Sequence, residues 1–370
     1  MRICFSTTGD IESLATLKRA TGMAAPLTQK GHQVAIVAWD TPNNRKRFVL
    51  ECPKTEILWV PNNLSPLRER REKYRLVKKW NPEILYVCAF GMRNGLTRFG
   101  VPKHVKVIVE HSELPSGIPR GFISRQKERF FEWLSVFAAD GLLCASQFLE
   151  DYFKCKAKKW FRASLPICYH PYAYNPNILA YQEGKLLEVK KIKNNRKMLM
   201  YMGTLAKNYG ILDLLRGVQL LSVIRKDFSL HIMGRGRHAA EARQLAEELK
   251  LGDFVSFHGY VPEEDLGAWF SQSDVFLMPI YDTVQDKARC PSKVYMYLPF
   301  QKPVVTNKIG DPFHVLSADG FYYQTGNPQD LCRVLNQVLD MPSWTPKNVD
   351  ATRHTWEARS EEFLSWIKKI

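Results

Sequence analysis

What the 370-residue chain lacks narrows its class first. No stretch approaches the ~18 consecutive apolar residues of a transmembrane helix. The opening MRICFSTTGD has no long apolar core of the secretory kind and reads as a first β-strand. Cysteine is present but unorganised: Cys4, Cys52, Cys88, Cys144, Cys155, Cys168, Cys290 and Cys332 include no Cys-x-x-Cys pair, so neither a zinc site nor a disulfide framework is indicated. Several of these thiols sit inside apolar runs, as small buried thiols do in reducing compartments, and a cytoplasmic location is expected. No RNP-like aromatic strand and no compact recognition helix occur, so base readout of nucleic acid has no vehicle here.

What is present is the composition of a folded protein, 45% hydrophobic and 24% charged, at a length that suits two domains. Short β-rich runs (Arg2–Thr7, Gln33–Ala38, Glu56–Val60, Glu83–Cys88, Val105–Glu110, Gly141–Ala145) alternate with longer helical segments, the signature of βαβ units feeding a parallel sheet. The alternation resumes at Met198–Met202, Phe228–Met233, Val255–Phe257, Val275–Met278 and Val304–Thr306, and no sequence repeat links the two series. The predicted plan is α/β: a Rossmann-like domain over 1–170, a linker over 171–196 rich in Pro, Asn and Lys, and a second Rossmann-like domain over 197–349. Residues 350–370 read as a helix that crosses back to the first domain.

Ligands of open α/β sheets bind beyond the carboxyl ends of the strands. Three such junctions in the second domain carry anion-binding character. After Met198–Met202 come Gly203, Thr204 and Lys207, ahead of an amphipathic helix. After Phe228–Met233 comes Gly234-Arg235-Gly236-Arg237, whose glycines bare the backbone and whose arginines supply forked donors suited to phosphate. The third is Arg289-Cys290-Pro291-Ser292-Lys293, where Pro fits a first helical turn and Ser292 is expected to cap it. A lysine at a helix N-terminus opposes the macrodipole unless an anion sits there. Together the three junctions predict a diphosphate site.

These motifs, in this order, resemble the nucleotide-sugar-binding domain of retaining group 1 glycosyltransferases of GT-B architecture, in which two Rossmann-like domains face one another across a cleft. The resemblance runs from Tyr201 to about Leu339, through His231–Gly236, Val255–Pro262, Ser273–Pro279, the Pro291-Ser292-Lys293 helix and Gly326-Asn327-Pro328. It implies that Gly259, Tyr260 and Val261 hold the base, that Gly203, Thr204, Arg235 and Lys293 surround the diphosphate, and that His111 faces the transferred sugar, with Glu113 beside it. It also implies a UDP-sugar as donor substrate, retention of configuration, and no need for a metal or other cofactor. The sequence departs from the family where an Arg–Lys pair often stands (Thr204, Tyr209) and where two glutamates eight positions apart often stand (Ala288, Met296). The Pro-Ser-Lys helix is similar to that of exopolysaccharide and O-antigen sugar transferases, branches of which also lack those glutamates.

Charge is unevenly spread. Residues 1–170 hold 28 Lys+Arg against 15 Asp+Glu, whereas the remainder holds 25 against 22, of a net +16. Segments 67–80 and 154–162 mix basic and aromatic residues and are expected to meet an anionic membrane surface, as an enzyme with a lipid-linked or glycan acceptor on the inner face of a membrane would. Two rival readings remain: a nucleotide-sugar 2-epimerase of the same architecture, with Glu110 and Glu113 as its carboxylates, and a catalytically inactive nucleotide-sugar-binding protein.

Overall fold

In a computed structural model, residues 1–11, 15–119 and 121–370 are described. They form two compact units. One comprises Met1–Ala173, Lys287–Cys290 and Arg353–Ile370, the other Tyr174–Asp286 and Pro291–Thr352.

The first unit is built on seven parallel strands: β1 (Arg2–Ser6), β2 (Gln33–Asp40), β3 (Glu56–Pro61), β4 (Ile84–Val87), β5 (Lys106–His111), β6 (Gly141–Cys144) and β7 (Ile167–Tyr169). Their order is β3-β2-β1-β4-β5-β6-β7, which places the reversal of winding between β1 and β4. The helices α1 (Ala15–Gln29), α2 (Pro42–Glu51), α3 (Pro66–Trp80), α4 (Phe122–Ala138) and α5 (Gln147–Lys159) connect them. Val77 and Trp80 of α3, Val136 of α4 and Phe153 of α5 share one apolar core with β4, β5 and β6, so these three helices cover the same face of the sheet.

The second unit is a six-stranded parallel sheet, β8 (Lys197–Met202), β9 (Phe228–Met233), β10 (Val255–Gly259), β11 (Val275–Leu277), β12 (Val304–Thr306) and β13 (Phe321–Tyr322), in the order β10-β9-β8-β11-β12-β13. Its helices are α6 (Glu183–Lys193), α7 (Ile211–Ile224), α8 (Ala239–Glu248), α9 (Glu263–Gln272), α10 (Val284–Ala288), whose last two residues group with the first unit, α11 (Ser292–Tyr297), α12 (Gly310–Leu316) and α13 (Pro328–Leu339). Winding reverses between β8 and β11. The chain ends in α14 (Trp356–Ile367), which packs on α1 and brings Phe363 against Tyr86, ring centroids 5.5 Å apart.

Two spans differ from the expected division. Most of 171–196 is not a free linker: from Tyr174 onward it belongs to the second unit, where α6 packs on α9 and Lys193 donates to the Gln272 carbonyl at 2.8 Å. Buried Ile178 and Val189 explain the docking of a segment whose composition looks polar. Conversely, Lys287–Cys290 joins the first unit, because the Ser146 hydroxyl donates to the Ala288 carbonyl (2.7 Å) and the Tyr172 amide donates to the Cys290 sulfur (3.2 Å). No helix among the described residues is long and apolar enough to cross a membrane.

Candidate functional site

At the carboxyl edge of the second sheet, three loops are joined by backbone hydrogen bonds. The Gly203 amide donates to the Met233 carbonyl at 2.9 Å, the Leu205 amide to the Arg235 carbonyl at 3.1 Å, and the Gly234 amide to the Gly259 carbonyl at 2.6 Å. This closeness demands glycine. At Gly234, φ is +135° and a Cβ would stand 1.8 Å from the Gly203 oxygen. The loops after β8, β9 and β10 therefore form one tight ledge beside the point where winding reverses, the position at which open α/β sheets bind ligands.

Lys293 rises against this ledge from α11, which lies between β11 and β12. Its side chain is only 8% exposed, and its ammonium lies 4.7 Å from the centroid of the Tyr201 ring. A Cβ on Gly203 would meet that ammonium at 3.3 Å, so the charge borders the bare glycine backbone. Tyr201 is fully buried, and its hydroxyl donates to the Thr204 carbonyl at 3.1 Å, which fixes the ring under the lysine. Such a cation–π contact is worth roughly 0.5–2 kcal/mol and orients the amine without neutralising it. A buried cation beside bare glycine backbone is chemistry suited to a phosphate oxygen.

The remaining expected donor residues divide. Arg235 is exposed and its guanidinium lies 4.3 Å from the Tyr260 ring centroid, so the β9 and β10 loops share a cationic, aromatic lip. Arg237 and Thr204 are exposed nearby, Thr204 contributing its carbonyl to Tyr201. Gly259 has φ +69° and open space beside its Cα, and Val261, half-buried, follows it. Lys207 is otherwise engaged: its ammonium pairs with Glu241 of α8 at 2.9 Å, both side chains well exposed. Ser292 does not cap α11. Pro291 occupies the cap position, no side-chain cap bond forms, and Ser292 is the first helical residue. Arg289 lies in the Lys287–Cys290 segment and so groups with the first unit.

The first-unit candidates do not assemble a catalytic pair. The His111 ring is 7% exposed, stacks on Phe153 at 4.0 Å, and meets the Ser135 hydroxyl with Nε2 at 2.8 Å. Because that hydroxyl donates to the Glu132 carbonyl (2.7 Å), the imidazole must be the donor to it, which places the proton on Nε2. Burial pushes its pKa down to about 3. His111 is thus a neutral, satisfied wedge between β5 and its covering helices, and not an exposed acid–base group. Glu113, two residues on, is exposed. Glu110 is fully buried, held by Arg19 at 2.8 Å and by the Tyr86 hydroxyl at 3.0 Å. Burial pushes its carboxyl up from the ordinary range, against the opposing pull of Arg19.

The positions of the absent glutamates have a physical explanation. Ala288 is wholly buried in the apolar core of the first unit, and Met296 is 8% exposed. A carboxylate at either would need a buried partner.

Two parallel-sheet α/β units, of seven and six strands, match GT-B glycosyltransferase structures in fold. Residues 196–341 match the family described as glycosyl transferases group 1. Among solved structures, the chain is similar to Anabaena Alr3699/HepE in complex with UDP and glucose (14% identity, all of both chains covered, TM-score 0.78). It is similar also to sucrose-phosphate synthase from Thermosynechococcus elongatus (15% identity, 100% of this chain and 98% of that one, TM-score 0.74). A third is the lipopolysaccharide outer core galactosyltransferase WaaB (12% identity, 100% and 99% covered, TM-score 0.66). At such identities the likeness establishes the fold. No curated protein matches the chain by sequence.

Proposed function

We propose that this chain transfers a sugar from a UDP-sugar to a lipid-linked or membrane-proximal glycan acceptor, with retention of configuration. The observation that carries the reading is Lys293, buried against the Gly203 backbone within the family-matched region. There its charge would stabilise the departing diphosphate, the work that electrostatic preorganisation does at a developing anion. Arg235 and Arg237 would supplement it from the β9 loop. The reading needs no metal, since the developing charge would be met by the Lys293, Arg235 and Arg237 side chains. A UDP complex of one structural neighbour and the lipopolysaccharide acceptor of another support the donor and acceptor classes. The epimerase reading is weakened by Glu110, whose carboxylate is committed to Arg19 and Tyr86.

The test is calorimetric titration of UDP, GDP and UDP-sugars into the wild type and Lys293→Ala. UDP is expected to bind at low-micromolar to sub-millimolar levels, weakened by about 1.5–3 kcal/mol in the variant through loss of a charge-assisted contact. Absence of nucleotide binding to the wild type would refute the reading. Binding without release of UDP from a UDP-sugar in the presence of glycan acceptors would leave a donor-binding protein.

A further inference from the structure

Every exposed Phe and Trp among the described residues of the first unit lies on one side of its sheet. Helix α4 presents Phe122 (75% exposed), Ile123 (84%), Phe130 (52%), Trp133 (38%) and Phe137 (43%). At helical spacing these side chains form one stripe. Trp133 stacks on Phe137 at 5.4 Å with an interplanar angle of 9°, Phe130 adjoins Trp133 at 5.8 Å, and Phe99 extends the row at 6.1 Å from Phe137. Beyond α5, Phe161 is 96% exposed. A soluble surface seldom gathers large apolar side chains in this way without a partner.

The chemistry around the ridge identifies the partner. Arg125, Lys127 and Arg129 are exposed on α4 itself. On α3, Arg68, Arg71, Arg75, Lys78 and Lys79 form an exposed stripe at spacings of three and four residues. On α5, Lys154, Lys158 and Lys159 are exposed. Because α3, α4 and α5 cover the same face of the sheet, the aromatic ridge stands between two basic stripes. Two-fold association of this face with a second copy would bring basic stripe against basic stripe or force both off the ridge. A surface of negative headgroups over hydrocarbon satisfies both parts at once.

We infer that the α3–α4–α5 face docks on an anionic lipid bilayer, with the α4 ridge entering the headgroup–acyl boundary and the flanking cations contacting headgroups. The inference deepens the membrane-proximal acceptor reading but does not depend on donor binding. The full chain is sedimented with vesicles of phosphatidylcholine alone and of phosphatidylcholine containing phosphatidylglycerol. Binding is expected with the anionic vesicles, weakening as salt rises. Phe122→Ser/Ile123→Ser, at positions too exposed to unfold the chain, is expected to lower partition about tenfold. Phe130→Ser/Trp133→Ser should lower it further, and Arg125→Glu/Arg129→Glu should remove the preference for anionic lipid. Unchanged thermal unfolding and UDP titration of these variants separate loss of docking from loss of fold or of donor binding. The inference is overturned by a wild type that ignores anionic vesicles, by variants that bind as well as the wild type, by a dimer that the ridge variants dissolve, or by capture of single-stranded polynucleotide in place of vesicles.

Discussion

At the scale of single residues, two buried side chains with ionisable groups show how environment assigns role. Lys293 keeps its ammonium at the ledge, over the face of Tyr201. His111 is enclosed and stays neutral. This neutrality has a pH signature. Burial holds the folded-state pKa of His111 at about 3, and burial with His258 holds that of His231 at about 4, both below the unfolded value near 6.5. Below that value the unfolded chain binds more protons, so the stability these groups contribute is complete above pH 6.5 and is lost as pH falls toward 3–4. Between pH 6.5 and 5, His111 alone should lose about 2 kcal/mol. Urea midpoints at pH 7.5 and 5 should therefore converge in His111→Gln relative to the wild type, and an unchanged difference would show that the ring is not the source. The family resemblance placed His111 facing the transferred sugar, and a histidine ending a strand looks the same in sequence whether its ring turns outward or inward. Lys293 and the Gly-Arg-Gly-Arg turn stand out in the sequence because glycines and basic residues gather at successive strand–helix junctions of one domain. Tyr201 does not, since an aromatic in a buried strand carries no mark of the cation above it.

Among the elements, α3 shows how composition can mislead. Its basic run is expected from sequence to meet an anionic surface, yet one face of it is buried: Glu69, Lys73, Val77 and Trp80. Lys73 and Glu69 pair at 2.7 Å, and Glu69 also accepts from Arg93 (2.7 Å), the Trp39 indole (2.8 Å) and the Thr8 hydroxyl (3.0 Å). Burial lowers the Lys73 pKa to about 8, opposed by Glu69. Lys73→Met would strip this carboxylate of its nearest cation and should destabilise the first unit by about 3–5 kcal/mol. Adding Glu69→Gln should restore part of that loss, and denaturant unfolding of the single and double variants measures both. The long periodic strands of both sheets were readable, whereas β7 and β13, three and two residues at sheet edges, are too short to show a period. The α4 ridge escaped notice for a related reason: aromatic residues at helical spacing usually signal core, and only the structure shows which side of the helix they occupy.

Viewed as a whole molecule, the protein combines a strongly basic unit with a nearly balanced one, and the first is completed by a distant part of the chain. Arg353–Ile370 belongs to the first unit, where Trp356 fills the space beside Gly22 and Phe363 covers Tyr86. Deleting 353–370 should uncover these apolar contacts and lower the unfolding temperature of the first unit by several degrees or more, while the second unit keeps its own transition. Calorimetry resolving two transitions in the wild type and a selective downward shift of one in the truncated chain would show this; equal shifts of both would contradict it. The two-sheet plan could be read from alternating periods alone. The ownership of short segments could not, because it depends on a few hydrogen bonds such as those holding Lys287–Cys290.

The same discontinuity governs how the protein emerges from a ribosome. A chain made at about 5–20 residues per second ordinarily folds its leading domain first. Here the leading unit still lacks its closing helix when the trailing sheet is already complete. The basic half must wait, partly unclothed, until residues 353–370 clear the exit tunnel. A message broken just before residue 353 would therefore spare the later-made unit and strand the earlier one.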